Sequence, residues 1–428
     1  MQRGNTMRCD FSMGNTSMKF IAGAVLLCLA SAASAATTLV GGGATLPAVG
    51  YTGAATGSPI TPAAGSLFGV YTAGGGNPVT YCPTGSGAGK KILAGNDPTN
   101  FQVNGACGGT APSGFGPATT LTQAFFAGSD APLSLSEYTN YVTGHGTGSQ
   151  PTQLPSIAGA IAVVFKKTGV NTLTLTEDQI CGVFSGTITD WSSLVSTASG
   201  PINVVYRSDG SGTSFSFLNH LSAVCPSLPS HAVNFKTLQA FSTGAASYIP
   251  SYASSLPAGG ANGNAGVTTA VNATEGSIGY AEAANGIAAP AKMASVKNTA
   301  GTVVNPLTGF GPTAVSVAVT FDKAISDSVD ANGRPVLVSL PTTSNGCIGL
   351  VDPSTYANPA GYPIIAITNL LGNAQGNGSD AAAVRTLLGT PYNTTTRTTV
   401  SRIGRVNTGY AWLASADLTQ ARVNACIN

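Results

Sequence analysis

The sequence predicts an α/β fold with buried sheets, built as two domains. Three observations lead there. Apolar, β-rich runs alternate with short patterns of helical period. Residues 1–35 read as an export leader rather than as folded structure. The remainder, residues 36–428, is longer than one ordinary domain.

The leader comes first. Met18 to Ala35 reads MKFIAGAVLLCLASAASA, with Lys19 at its positive end, an apolar run from Phe20 to Ala30, and an A-x-A cleavage site at Ala33-Ser34-Ala35. Cleavage after Ala35 would leave Ala36 as the mature N-terminus, and Met1 to Ser17 read as an upstream extension. The apolar run is too short to span a bilayer. Cys28 follows Leu27, where a lipid-anchor signal would need a small residue, so no stable membrane anchor is expected.

The strands are expected at Ala160–Phe165 (AIAVVF), Ile202–Tyr206 (INVVY) and Gly361–Leu370 (GYPIIAITNL). Between them a capping box at Thr176-Glu177-Asp178-Gln179 opens a helix carrying Ile180, Val183 and Phe184, which Gly186 stops. Ser379–Leu388 and Ser415–Ala425 read as two further helices. Tyr71–Gly116 reads as a loop-rich excursion, and Ser254–Gly266 as an exposed polar loop.

Composition narrows the function. Charged residues make up only 8% of the chain, and the formal charge of +2 belongs to the leader, where Arg3, Arg8 and Lys19 outweigh Asp10. The mature chain is neutral and has no electrostatic footprint for nucleic acid. Six of the eight cysteines lie beyond the leader: Cys82, Cys107, Cys181, Cys225, Cys347 and Cys426. An even count after a leader reads as three disulfides, with 15 possible pairings. No C-x-x-C spacing occurs, so neither zinc nor redox chemistry is indicated, and no metal or cofactor is expected. A Cys82–Cys107 bridge would restrain the loop-rich excursion by about 3 kcal/mol.

Four turns could carry chemistry. Tyr206-Arg207-Ser208-Asp209-Gly210-Ser211-Gly212-Thr213 runs from strand through a glycine-hydroxyl turn into a helix with Phe215, Leu218 and Leu221 on one face. Amides at such a helix start bind anions, and Arg207 adds a planar donor fork. Gly41-Gly42-Gly43-Ala44-Thr45-Leu46-Pro47 can expose amides and the Thr45 hydroxyl. Gly85-Ser86-Gly87-Ala88-Gly89-Lys90 is not a Walker A loop, because Lys91 stands where Ser or Thr is needed. Ala127-Gly128-Ser129-Asp130-Ala131-Pro132 is a turn with one carboxylate.

Taken in this order, the four segments resemble the phosphate-binding protein of bacterial ABC importers, and more closely its DING-type branch. The resemblance runs through GGGATLP at 41–47, GSGAGK at 85–90, AGSD at 127–130, CGVFSGTITDW at 181–191, VVYRSDGSGT at 204–213, GSIGY at 276–280 and GYPIIAITNL at 361–370. It departs at Thr38-Leu39-Val40-Gly41, where the branch carries Asp-Ile-Asn-Gly. The Cys82/Cys107 pair reads as an insertion, and Cys347 precedes GYPI where the last bridge would be expected to start after it.

The resemblance implies a two-lobed, type II-like periplasmic-binding-protein fold with its ligand in the interlobe cleft. Lobe 1 would comprise 36–157 and 305–428, and lobe 2 158–304. The chain would cross near Leu154-Pro155-Ser156 and return after Ala289-Pro290. The implied phosphate ligands are Thr45, Leu46, Ser86, Asp130, Arg207, Ser211, Gly212 and Thr213, with Asp209 holding the arginine. The implied disulfides are Cys181–Cys225 within one lobe and Cys347–Cys426. These groups supply many neutral donors, one cation and one acceptor, which suits a dehydrated phosphate. The implied partners are inorganic phosphate and an ABC-transporter permease, with secretion beyond the periplasm as the alternative, for a protein expected to be monomeric.

Two other classes compete. A secreted phosphohydrolase needs a nucleophile with a base, or metals. His145, His220 and His231 show no metal-ligand spacing, His220 is expected at the surface or at a helix end, and no G-x-S-x-G elbow occurs. An interaction protein that kept the fold but lost the ligand would not need all the site positions present here. The expectation is therefore a binding protein, not an enzyme.

Overall fold

The computed structural model describes residues 36–95, 107, 115, 124–255, 257–288, 291–356 and 361–428. The expected leader and the expected return point at Ala289-Pro290 lie outside the described residues.

The chain folds around one large sheet. Its strands are β1 (Leu39–Gly43), β2 (Val79–Cys82), β3 (Phe126–Ser129), β4 (Pro151–Lys166), β5 (Asn203–Val205), β6 (Ser254–Ser255), β7 (Ser277–Glu282) and β8 (Ile365–Asn373). They lie in the order β2-β1-β3-β8-β4-β7-β5-β6. β1 runs parallel to both β2 and β3, and β5 runs parallel to β6 and β7. β9 (Tyr410–Ala414) pairs antiparallel with β4.

β4 is the strand that joins the two halves of the sheet. It runs for 16 residues, buried at every position but its last. Pro151 to Ala160 pair with β8, and Ile161 to Lys166 pair with β7. The expected strand Ala160–Phe165 is therefore the second part of a longer one. Leu154-Pro155-Ser156, where the crossing was expected, lies inside it and carries a register shift. Asn369 faces Pro155 and Thr368 faces Ile157, which leaves Ser156 as the extra residue. Proline has no N–H for the ladder, so the pairing slips there. The Ser156 hydroxyl donates to the Thr368 carbonyl at 2.9 Å and receives the Tyr51 hydroxyl.

The helices that matter here are α1 (Ser86–Ala94), α2 (Leu135–His145), α3 (Glu177–Ser185), α4 (Gly212–Val224), α5 (Gly263–Ala273), α6 (Ala381–Gly389) and α7 (Gln420–Cys426). α3 carries the capping box read from the sequence, formed by Thr176 and Gln179, and stops at Gly186 with φ 73°. α4 buries Phe215, Leu218 and Leu221, and Phe217 stacks on Tyr280 of β7 with ring centroids 4.4 Å apart. That stack fixes α4 against the sheet.

Three expectations need correction. The C-terminal helix starts at Gln420, with Thr419 as its cap, rather than at Ser415. The Ser415 hydroxyl accepts the Asp417 amide, an alternative to helix that short hydroxyl side chains offer. Ser254–Gly266 is not an exposed loop throughout. Ser254–Ser255 is the edge strand β6, and α5 begins at Gly263 because Val267 and Val271 bury one face. Within Tyr71–Gly116, Val79–Ala94 is strand followed by helix, with Ile92 and Leu93 in the core. Cystines join Cys82 to Cys107, Cys181 to Cys225 and Cys347 to Cys426.

Candidate anion-binding site

Four turns converge at the carboxyl ends of parallel strands, the usual place for a ligand in an open α/β sheet. β1 runs out into Ala44-Thr45-Leu46, β2 leads to the start of α1, β3 ends at Asp130, and β5 delivers Arg207 to Thr213. The first turn needs glycine at position 43. Its φ is 119°, and a Cβ there would lie 2.3 Å from the Gly128 carbonyl oxygen.

The turns touch one another closely. A Cβ built on Gly212 would lie 2.5 Å from Ser86 Oγ, 2.6 Å from Asp130 Cβ and 2.7 Å from Asp130 N. The Gly87 amide donates to the Gly210 carbonyl at 2.9 Å. The Asn264 amide donates to Thr45 Oγ1 at 3.3 Å. These contacts link the turns that carry the expected ligand positions.

Asp130 is buried. Its Oδ1 accepts the Thr368 hydroxyl at 2.7 Å, and its Oδ2 has no hydrogen-bond partner among the described residues. Burial pushes its pKa up to about 7, against the lowering effects of the Thr368 bond, Arg207 and Lys90. Asp130 does not close its own turn; the Ser129 hydroxyl does, bonding both the amide and the carbonyl of Ala131.

Arg207 is also buried. Its Nε donates to Asp209 Oδ1 at 2.7 Å and its second terminal nitrogen to Asp209 Oδ2 at 2.5 Å, the bidentate geometry that aims a guanidinium. Burial alone would raise the Asp209 pKa, but the charge and bonds of Arg207 outweigh it and hold the carboxyl below its usual range. The other terminal nitrogen donates to Asn264 Oδ1 at 3.2 Å and to Thr213 Oγ1 at 3.4 Å.

Ser211 caps α4 through its side chain, which accepts the Ser214 amide at 3.0 Å. Its own amide donates to the Gln239 carbonyl at 3.0 Å, so Ser211 offers the site a hydroxyl rather than the amide expected from sequence. The amides of Gly212 and Thr213, in the first turn of α4, have no acceptor among the described residues. Neither has the Leu46 amide, whereas the Leu46 carbonyl receives the Tyr410 hydroxyl at 2.5 Å.

Two residues of the site escaped the sequence reading. Asn264 belongs to a segment read as exposed loop; the Val267 and Val271 spacing behind it was the available signal. Thr368 lies within a strand, and nothing local marks it. The histidines serve elsewhere. His220 sits within α4 rather than at its end and pairs with buried Glu177 at 2.8 Å, because the helix continues to Val224 and packs that face on α3. His231 bonds Asp178 and His145 bonds the Leu93 carbonyl. Among the described residues no cluster of three or more potential metal ligands occurs.

An α/β sheet with turns closing on a buried acceptor, a buried cation and free helix-start amides defines a binding protein for a small oxyanion. The model of the PBP superfamily domain matches residues 42–339, and the chain belongs to that superfamily. Alkaline phosphatase L of Pseudomonas aeruginosa strain PAO1 is 31% identical over 414 residues, covering 92% of this chain and 91% of that protein. A phosphate-binding protein from an unknown prokaryotic organism is 31% identical over 368 residues, covering 83% and 86%. Among solved structures, the high-affinity periplasmic phosphate-binding protein PfluDING, bound with phosphate, is 28% identical. It has a TM-score of 0.62 and covers 91% of this chain and 93% of its own.

Proposed function

We propose that this chain binds inorganic phosphate with high affinity outside the cytoplasm, enclosing it between two lobes. The carrying observation is the unpartnered Oδ2 of Asp130 opposite Arg207 and the free amides of α4. A buried acceptor without a donor is costly. Hydrogen phosphate supplies the missing proton while its other oxygens take the amides, hydroxyls and guanidinium. The eight residues Thr45, Leu46, Ser86, Asp130, Arg207, Ser211, Gly212 and Thr213 are the proposed ligands, and the relatives named as phosphate-binding proteins support the reading.

The lobes in this reading are 36–157 with 305–428, and 158–304. Closure would rest on contacts between the two sets, such as Gly87 to Gly210 and Gln239 Nε2 to Glu137 Oε1. Three cystines suit a protein that matures away from cytosolic reductants, after cleavage at Ala35. A monomer that delivers phosphate to an ABC permease, or scavenges it outside the cell, fits this role.

Calorimetric titration with phosphate after stripping tests the ligand, and small-angle scattering tests closure. Absence of binding heat would overturn the reading, and an unchanged radius on binding would overturn the clamp. A hydrolase is the second reading, favoured by the relatives named alkaline phosphatase L. Turnover of p-nitrophenyl phosphate that disappears in Asp130→Asn would favour it. In the binding reading, Asp130 meets the ligand as an acceptor and no residue at the site attacks phosphorus.

A further inference from the structure

We propose that Asn264 is a positioning residue for the anion: its side-chain amide locks the Thr213 hydroxyl and the Arg207 guanidinium so that their remaining N–H and O–H bonds face the ligand. The proposal rests on the phosphate-binding reading and extends it to a residue outside the ligand set.

The argument is one of donors and acceptors. Arginine has five N–H donors and no acceptor. The Asn264 atom facing Arg207 must therefore be its oxygen, at 3.2 Å, which turns its Nδ2 toward Thr213 Oγ1, also at 3.2 Å. Thr213 Oγ1 then receives two N–H groups, one from Asn264 and one from Arg207 at 3.4 Å. A hydroxyl has two lone pairs and one proton. Both lone pairs are taken, so the proton of Thr213 must point away from Asn264 and Arg207, into the space before the first turn of α4. Without Asn264, one lone pair of Thr213 Oγ1 is freed, its proton is no longer confined to that direction, and the ligand loses an oriented donor.

The same geometry accounts for Arg207. Asp209 takes the Nε hydrogen and one on the second terminal nitrogen, and Asn264 and Thr213 take those on the first. One N–H of the guanidinium is left for the anion, held by partners on both of its edges. Asn264 also acts across the cleft. Its backbone amide donates to Thr45 Oγ1, occupying a lone pair there and leaving the Thr45 proton for the ligand. Asn264 is fully buried, so none of these bonds competes with bulk water.

A double-mutant cycle on the full chain tests the assignment, with phosphate affinity read by calorimetry. Asn264→Ala should weaken phosphate binding roughly tenfold to a hundredfold, the range for losing a hydrogen bond at a charged site. In a Thr213→Val background the same change should cost at least threefold less, because the hydroxyl it orients is gone. A structural role alone would give equal factors in both backgrounds, and that result overturns the proposal. If Asn264→Ala does not fold, Asn264→Asp keeps the shape. It retains the acceptor for Arg207 but takes the Thr213 proton for itself, so it too should bind phosphate at least tenfold more weakly. An Asn264→Asp variant that binds like the parent overturns the proposal. Failure of the parent itself to bind phosphate instead removes the reading beneath it, which separates the two failures.

Discussion

Asp130→Asn separates charge from shape at the centre of the site. In this structure the Asp130 pKa is raised from 3.8 to about 7, chiefly by burial. At about 1.36 kcal/mol per unit, keeping the carboxyl ionised there costs about 4 kcal/mol. The sign follows from the raised value. The contribution of this carboxyl to the closed form is fully present below about pH 4 and is lost as the pH rises through about 7. Hydrogen phosphate carries a proton to Oδ2 and relieves the cost. Sulfate is fully ionised and brings none, so the parent must take up one proton on Asp130 to bind it. Its sulfate affinity should therefore fall about tenfold per pH unit above 7, or roughly 30-fold by pH 8.5. Asparagine accepts from Thr368 as before, needs no proton, and offers an N–H to either anion. Asp130→Asn should thus make sulfate binding independent of pH and narrow the gap between phosphate and sulfate at least tenfold, about 1.4 kcal/mol. Competition of sulfate against radiolabelled phosphate at pH 5.5 and 8.5 measures both quantities. A parent that binds sulfate as tightly as phosphate at pH 8.5, or a variant that keeps the parent's gap, refutes the reasoning.

Gly212→Ala places a methyl group within 2.7 Å of Ser86 and of the Asp130 backbone. In the clamp reading these contacts form on closure, so the overpacking should weaken phosphate binding by about 1–3 kcal/mol, seen by calorimetry, while the melting temperature of the unliganded protein holds. Arg207→Ala should cost roughly 2–5 kcal/mol of phosphate binding, as it removes the cation and leaves Asp209 without its partner. Replacing Cys347 and Cys426 with serine opens a loop with a sequence separation of 79. Urea unfolding should show a loss of roughly 4 kcal/mol, with phosphate affinity retained.

The α/β class and the four turns were legible because each depends on local chemistry. A capping box at Thr176 and Gln179, a glycine needed at positive φ, and a glycine-hydroxyl turn ahead of a helix are written in neighbouring residues. What resisted local reading was set by distant partners. Ala160–Phe165 could be read as a strand, but its extension back to Pro151 depends on β8, more than 200 residues later in the chain. His220 was expected at the surface or at a helix end, and its contact with Glu177 depends on how α3 packs.

The site divides along the same line. Sequence alone determined which residues could serve an oxyanion: hydroxyls and amides in glycine turns, one arginine with an aspartate two residues on, and one carboxylate among neutral neighbours. Tertiary structure decided what each of them does. It spent the Ser211 amide on Gln239, brought Thr368 from a distant strand to one oxygen of Asp130, and left the other oxygen without a donor. It also carried Asn264 from an apparent loop into the contact between Arg207, Thr213 and Thr45. The physical reason is that a hydrogen bond is satisfied in space, by whichever donor the packing of the sheet brings within about 3 Å, and sequence separation does not enter.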